Sequence, residues 1–208
     1  MIRQNSRKLI YGVGINDADY ITQPKNRDDR CPIFDRWHSM LRRCYSVSSL
    51  KANPTYEMVV VCQDWLVFSN FKKWMEPQEW SGLVLDKDIL GDGNIYSQKT
   101  CRFVPSDVNS FFSENVHLPI PGTRLKFEDG REKPYIAQAM VYGKKKYLGV
   151  FTDRLKAHKA WQSAKISEVE RIIFEYPSLD KDVVKVLANC HLKISKELSE
   201  GSITRSLK

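Results

Sequence analysis

The sequence has no apolar run approaching the roughly 18 residues of a membrane span. Its longest, such as Met58–Cys62, end after a few positions. No apolar segment follows Met1-Ile2-Arg3, so no secretory signal is expected. None of the five cysteines, Cys31, Cys44, Cys62, Cys101 and Cys190, stands in a Cys-x-x-Cys pair. That excludes the zinc-ribbon and thioredoxin spacings, and it leaves the thiols as reduced, mostly buried groups. Internal repeats and low-complexity tracts are also missing. The expectation is a soluble, cytoplasmic protein with no membrane contact.

Apolar residues make up 42% of the 208 positions and aromatics 11%, enough for packed cores and against a wholly disordered chain. The length suits one large domain or two small ones. Ile10–Ile15 reads as a short strand. Pro32 opens a helix on which Ile33, Trp37, Met40, Leu41 and Cys44 recur at helical spacing, with Arg36, Arg42 and Arg43 off that stripe. Valine-rich Tyr56–Cys62 reads as a strand, and Asp64 as the cap of a helix over Trp65–Met75. A strand over Leu83–Leu85 ends at Asp86-Lys87-Asp88. A Gly/Asp/Asn loop follows, then a strand over Cys101–Val104 and a helix opened by Pro105-Ser106-Asp107 that contains Asn109.

Leu118–Gly122, with two prolines, reads as a linker. Beyond it the pattern predicts strands over Thr123–Glu128, Tyr135–Tyr142 and Lys145–Phe151, joined by turn residues. Thr152 or Asp153 caps a long helix to about Phe174, with Leu155, His158, Trp161, Ala164, Val169 and Ile172 inward. A last helix near Asp180–Leu198 carries Val183, Leu187, Cys190, Ile194 and Leu198 on one face. That stripe either packs back on the chain or forms a homodimer. Residues after Ser199 read as a frayed tail.

Formal charge is +8, and its distribution is uneven. Between Thr123 and Tyr147 stand seven bases, Arg124, Lys126, Arg131, Lys133, Lys144, Lys145 and Lys146, against three acids. Strand alternation puts Arg124, Lys126 and Glu128 on one face, and Gln138 in phase with Tyr142. A basic face of a three-stranded sheet can enter the DNA major groove, where arginine and lysine read guanine and glutamine reads adenine. An ordinary solvated charged face is the competing reading.

The segment Tyr135–Asp153, and above all Tyr147-Leu-Gly-Val-Phe151 followed by Lys156-Ala-His-Lys-Ala-Trp161, resembles the AP2-type DNA-binding domain. The upstream half resembles the HNH (His-Me finger) homing endonucleases of bacteriophages. The matching phrases are Trp37–Tyr45, Cys62–Phe71, Leu85–Ile89, and Tyr96-Ser97 leading to Cys101–Pro105. The resemblance implies an α+β chain with an HNH-like domain over residues 1–118, its ββα finger about 82–114. An AP2-like domain would follow over 119–176, then a C-terminal helix and tail over 177–208. It further implies a phage or mobile-element source, a bacterial cytoplasm and double-stranded DNA as the partner.

In that family an Asp-His pair and a helix Asn or His form the nuclease site. The resemblance therefore assigns metal binding to Asp86 and Asn109, and puts Lys87 at the place of the general-base histidine. Free lysine has a pKa near 10.4 against about 6.5 for histidine, so it holds its proton at neutral pH. Two functions follow. The first is sequence-specific DNA binding that acts by site occupancy, such as transcriptional repression, with cleavage lost or weak and no cofactor needed. The second is an active endonuclease using Mg²⁺ or Mn²⁺. Arg124, Lys126, Arg131, Lys133, Gln138, Tyr142 and Lys144–Lys146 would contact DNA, and Arg36, Arg42 and Arg43 would grip backbone.

Overall fold

The computed structural model describes residues 8–112, 118–126 and 132–208. The fold is α+β, and the chain divides into two compact units. One comprises the residues up to Ser81 with Gly91–Cys101, and the other Gly82–Leu90 with Arg102–Lys208.

In the first unit Pro32 opens α1 (Pro32–Tyr45), where its missing N–H costs nothing. The expected stripe is buried, with Trp37, Met40 and Leu41 fully covered. A short α2 (Val47–Ala52) follows. Of the strand expected over Tyr56–Cys62, only β1 (Val60–Val61) forms, and it pairs in parallel with β3 (Ile95–Tyr96). The helix expected from Trp65 is interrupted. Gln63–Leu66 is a 3-10 turn, and α3 runs only over Phe68–Met75. The break has a remote cause: Ile15 donates to the Leu66 carbonyl and accepts from Phe68 N, so the chain at Val67 is drawn straight. Asp17, not Asp64, then caps α3 through Ser69 N at 2.9 Å. Ile10–Ile15 is not a strand. Ile10 and Gly14 exchange backbone hydrogen bonds across a tight turn with Tyr11 and Gly12 at positive φ.

The second unit begins with β2 (Val84–Asp86), antiparallel to β4 (Arg102–Val104), followed by α4 (Ser106–Phe112). Next come β5 (Thr123–Leu125), β6 (Tyr135–Val141) and β7 (Lys144–Phe151), an antiparallel sheet in the order β5-β6-β7. Two helices complete it. α5 (Arg154–Glu175) is capped by the Asp153 carboxylate, and α6 (Lys181–Ser199) by Asp180. Val108 and Phe111 of α4, Ala139 of β6, Trp161, Val169 and Ile172 of α5, and Val183, Leu187, Cys190 and Ile194 of α6 share one core. Each valine, leucine, isoleucine or phenylalanine among them contributes roughly 1.5–3 kcal/mol by leaving water.

That shared core places the expected boundary at residue 118 inside the second unit, and β2, β4 and α4 belong with the sheet. Leu118–Gly122 is not a free linker there. Pro121 is buried, its carbonyl bonds His158 Nδ1 at 2.9 Å, and a Cβ on Gly122 (φ +72°) would lie 2.0 Å from Trp161. The α6 stripe that the sequence left open to a homodimer is covered within the chain, largely by α5. Leu155, expected inward, is 47% exposed. The segment after Ser199 is built in: Thr204 and Leu207 are buried, and Thr204 N–H donates to His158 Nε2 at 3.0 Å.

Candidate nucleic-acid interface

Register decides which side chains share a face of the three-stranded sheet. Arg124 stands opposite Ile136, Gln138 opposite Tyr147, and Met140 opposite Lys145. Alternation along β6 therefore puts Arg124, Gln138, Tyr147 and Lys145 on one side, away from Ala137 and Ala139, which are fully buried. A bulge beside Gln138 leaves Leu148 without an opposite residue and packs it against the core. Lys144 and Lys146 fall on the other phase, yet β7 is an edge strand and both are exposed. Lys126 and Lys133 are exposed where β5 ends and β6 begins. The three strands contain no aspartate or glutamate. Arg131 lies outside the described residues.

Tyr142 departs from its expected place in phase with Gln138. It sits in the β6–β7 turn at φ +51°, and its hydroxyl donates to Glu175 on α5 at 3.1 Å. The turn needs a left-handed residue before Gly143, and that takes Tyr142 out of strand alternation. The three arginines of α1 also differ among themselves. Arg42 is exposed. Arg36 donates to the Trp80 carbonyl, and Arg43 lies 5.6 Å and 6.0 Å from the rings of Tyr96 and Tyr56. Arg36 and Arg43 are thus drawn into the packing of their own unit.

In the segment expected to form a finger, Asp86 ends β2 and is buried. Its Oδ1 accepts from Asp88 N at 2.9 Å and Ile89 N at 2.8 Å, closing the turn after the strand. Burial pushes the Asp86 carboxyl above the usual aspartate range, the two N–H bonds oppose that, and nearby Asp88 adds to it. Lys87 is buried too, and its Nζ pairs with Asp88 Oδ1 at 2.6 Å. Asn109 lies half-buried on α4, which packs on β2.

A further cation reaches this place with no local signal to announce it. The Lys208 ammonium interacts with both Asp86 and Asp88, carried there by the segment Ser202–Lys208. Gln162 holds that segment through the Ser202 carbonyl and Thr204 Oγ1, each at 3.0 Å, and Cys190 donates to the Leu207 carbonyl. Lys193 donates to Ser206 Oγ at 3.1 Å and the Lys208 carbonyl at 2.9 Å. The metal that the finger resemblance implies would need the open lone pairs of Asp86 and Asn109. As placed, Asp86 has one oxygen committed to its turn, Asp88 is paired with the Lys87 ammonium, and the charge of Lys208 is felt by both carboxylates. That is a carboxylate–ammonium cluster, not a donor set open to a cation. Among the described residues no three His, Cys, Asp or Glu side chains gather as metal ligands.

Sequence reading missed one cluster entirely. Arg171 of α5 bonds Asp107 at 2.6 Å, Glu168 at 2.7 Å and Glu175 at 2.6 Å. Burial works against its charge, but the three carboxylates outweigh burial and hold the guanidinium more firmly charged than usual. The i,i+3 and i,i+4 spacing of Glu168, Arg171 and Glu175 was a signal in the sequence; the approach of Asp107 was not. Comparison of the chain with known family models, curated proteins and solved structures gives no match.

Proposed function

We propose that this chain is a sequence-specific double-stranded DNA-binding protein built on a homing-endonuclease plan, acting by occupying its site, as a repressor occupies a promoter. The observation that carries the reading is the acid-free sheet with exposed Arg124, Lys144, Lys145 and Lys146, and with Gln138 and Tyr147 on the Arg124 face. Exposed cations along two edge strands match a phosphate backbone, whose released counterions supply most of the affinity. Between them Gln138 is of the type that reads adenine, Arg124 of the type that reads guanine, and a narrow sheet fits the major groove.

The place of Lys87 supports occupancy with cleavage lost or weak. The Lys87 ammonium, ion-paired to Asp88, has no lone pair with which to take a proton from water. The test is a paired assay on fragments of the native genomic neighbourhood. Each fragment is run on a native gel in EDTA and, in parallel, incubated with Mg²⁺ or Mn²⁺ and run denatured. Retention of one fragment without strand breaks is the expected result. Metal-dependent nicks at a fixed position would instead make the chain an endonuclease, and no retention at low salt would sink the DNA reading.

A further inference from the structure

The turn that leads into Lys144–Lys146 is fastened from four sides. Tyr142 adopts φ +51°, a left-handed conformation that a bulky residue keeps only where its surroundings impose it. Its N–H donates to Glu168 Oε1 at 2.9 Å, its hydroxyl to Glu175 Oε1 at 3.1 Å, and its ring lies 4.1 Å from the Arg171 guanidinium carbon. Gly143, at φ +67°, presses against α4: a Cβ there would come within 3.2 Å of Asp107 Cβ and 3.3 Å of Asp107 Cα. Arg171 closes the set. Its Nη2 bonds both Asp107 and Glu168, its Nε bonds Glu168 at 3.1 Å, and its Nη1 bonds Glu175. The Tyr176 hydroxyl donates to the same Asp107 carboxylate at 3.0 Å.

Three carboxylates around one guanidinium leave a net negative cluster, with Glu168 2% exposed, Arg171 10% and Asp107 12%. Such a cluster is weak evidence of added stability, because desolvating the charges offsets their attraction. It does fix geometry, since every partner has one bidentate or short-range place to sit. What it fixes is the residue pair immediately before three exposed lysines.

We infer that Arg171, with Asp107, Tyr142, Gly143, Glu168 and Glu175, is the positioning element of the basic β7 edge. It holds Lys144–Lys146 in one register against successive phosphates, with the finger helix α4 as its footing. The inference rests on the DNA-binding reading and deepens it. The finger then has work that needs no cleavage chemistry: its helix anchors the edge that grips DNA. Arg171 and its partners touch no DNA themselves and act through the hairpin.

A double-mutant cycle tests this. Lys144, Lys145 and Lys146 are changed together to alanine in three backgrounds: wild type, Arg171→Gln and Gly143→Ala. In the wild-type background lysine removal is expected to weaken duplex binding by about tenfold or more near 0.1 M salt, and to flatten the log–log salt slope by roughly 0.9 for each phosphate no longer neutralised. In either hub background the same removal is expected to cost less than about threefold, because lysines no longer held in register contribute little as a set. Equal cost in all backgrounds would overturn the inference. Gly143→Ala removes no charge, so it carries the test if Arg171→Gln fails to fold.

The hub also has a readout without DNA. Amide exchange across Lys144–Lys146 should quicken by about tenfold or more in Gly143→Ala, and unchanged exchange would overturn the inference. If the wild-type chain bound no duplex at any salt, the DNA reading would fail while the exchange result still decided the hub.

Discussion

Helix α5 and the β6–β7 hairpin are neighbours in sequence, and both carry lysine and arginine. On α5, Lys165 is fully buried, donates to the Phe111 carbonyl at 2.8 Å and lies 4.1 Å from the Phe111 ring. Arg171 is enclosed by carboxylates. On β7, Lys144, Lys145 and Lys146 point to water. The same residue types do opposite jobs because of what lies opposite them. Lys165 reaches the Phe111 carbonyl in the last turn of α4 and Arg171 the Asp107 carboxylate in its first, whereas β7 is a sheet edge on which the three lysines are exposed. Net charge therefore overstates the exposed basic surface, and placement corrects it.

The contrast can be broken most sharply at Lys165. Changing it to alanine removes a buried stem and leaves the Phe111 carbonyl without this donor, at a cost of about 2–4 kcal/mol in stability. Urea unfolding should show that loss, while the salt slope of duplex binding by the remaining folded protein stays unchanged. Asp86 gives a smaller effect. Asp86→Ala should cost about 1–3 kcal/mol, since the Asp88 and Ile89 N–H groups lose their acceptor. Asp86→Asn keeps an acceptor and removes a buried charge, so its urea midpoint should stay close to wild type; a collapse equal to that of alanine would show that the charge itself is needed. Arg124→Ala should leave the melting temperature alone and flatten the salt slope by about 0.9.

The smallest effect is a pH dependence. His158 donates from Nδ1 to the Pro121 carbonyl, which can only accept, so Nε2 must be the acceptor for Thr204 N–H. Burial pulls its pKa below the usual 6.5, while Pro121 and Glu197 oppose the shift. The unfolded chain therefore binds the proton first as pH falls. The stabilising contribution is complete above about 6.5 and is lost as pH drops toward the lower folded value. Melting curves from about pH 8 to about 5.5 should show a decline in melting temperature that is absent in His158→Gln.

Local signals were the legible ones. Pro32, Asp153 and Asp180 announced helix starts, and 3.6-residue spacing marked the buried stripes of α1 and α6. The β2, β4 and α4 segments, and with them the places of Asp86, Lys87 and Asn109, were readable because each is bounded by turn residues. What depends on distant partners was not. The break at Val67 needs Ile15, the role of Tyr142 needs α5, and the packing of Gly122 needs Trp161. Ser202–Lys208 is short, polar and without periodicity, yet it is ordered by Gln162, His158, Cys190 and Lys193 from two other helices. Alternation alone puts Arg124 with Lys126 and Glu128, and Gln138 in phase with Tyr142, but only the bulged register brings Arg124, Gln138, Tyr147 and Lys145 to one face.

The proposed function requires the outward cations of the sheet to grip DNA. Its most direct test is a salt titration of binding to a native duplex fragment, for the wild-type chain and for a variant with Arg124, Lys144, Lys145 and Lys146 all changed to alanine. The expected result is a shallower log–log slope in the variant, by roughly 0.9 for each phosphate left without its cation, with the melting temperature preserved. Identical slopes and affinities in the two proteins would contradict it.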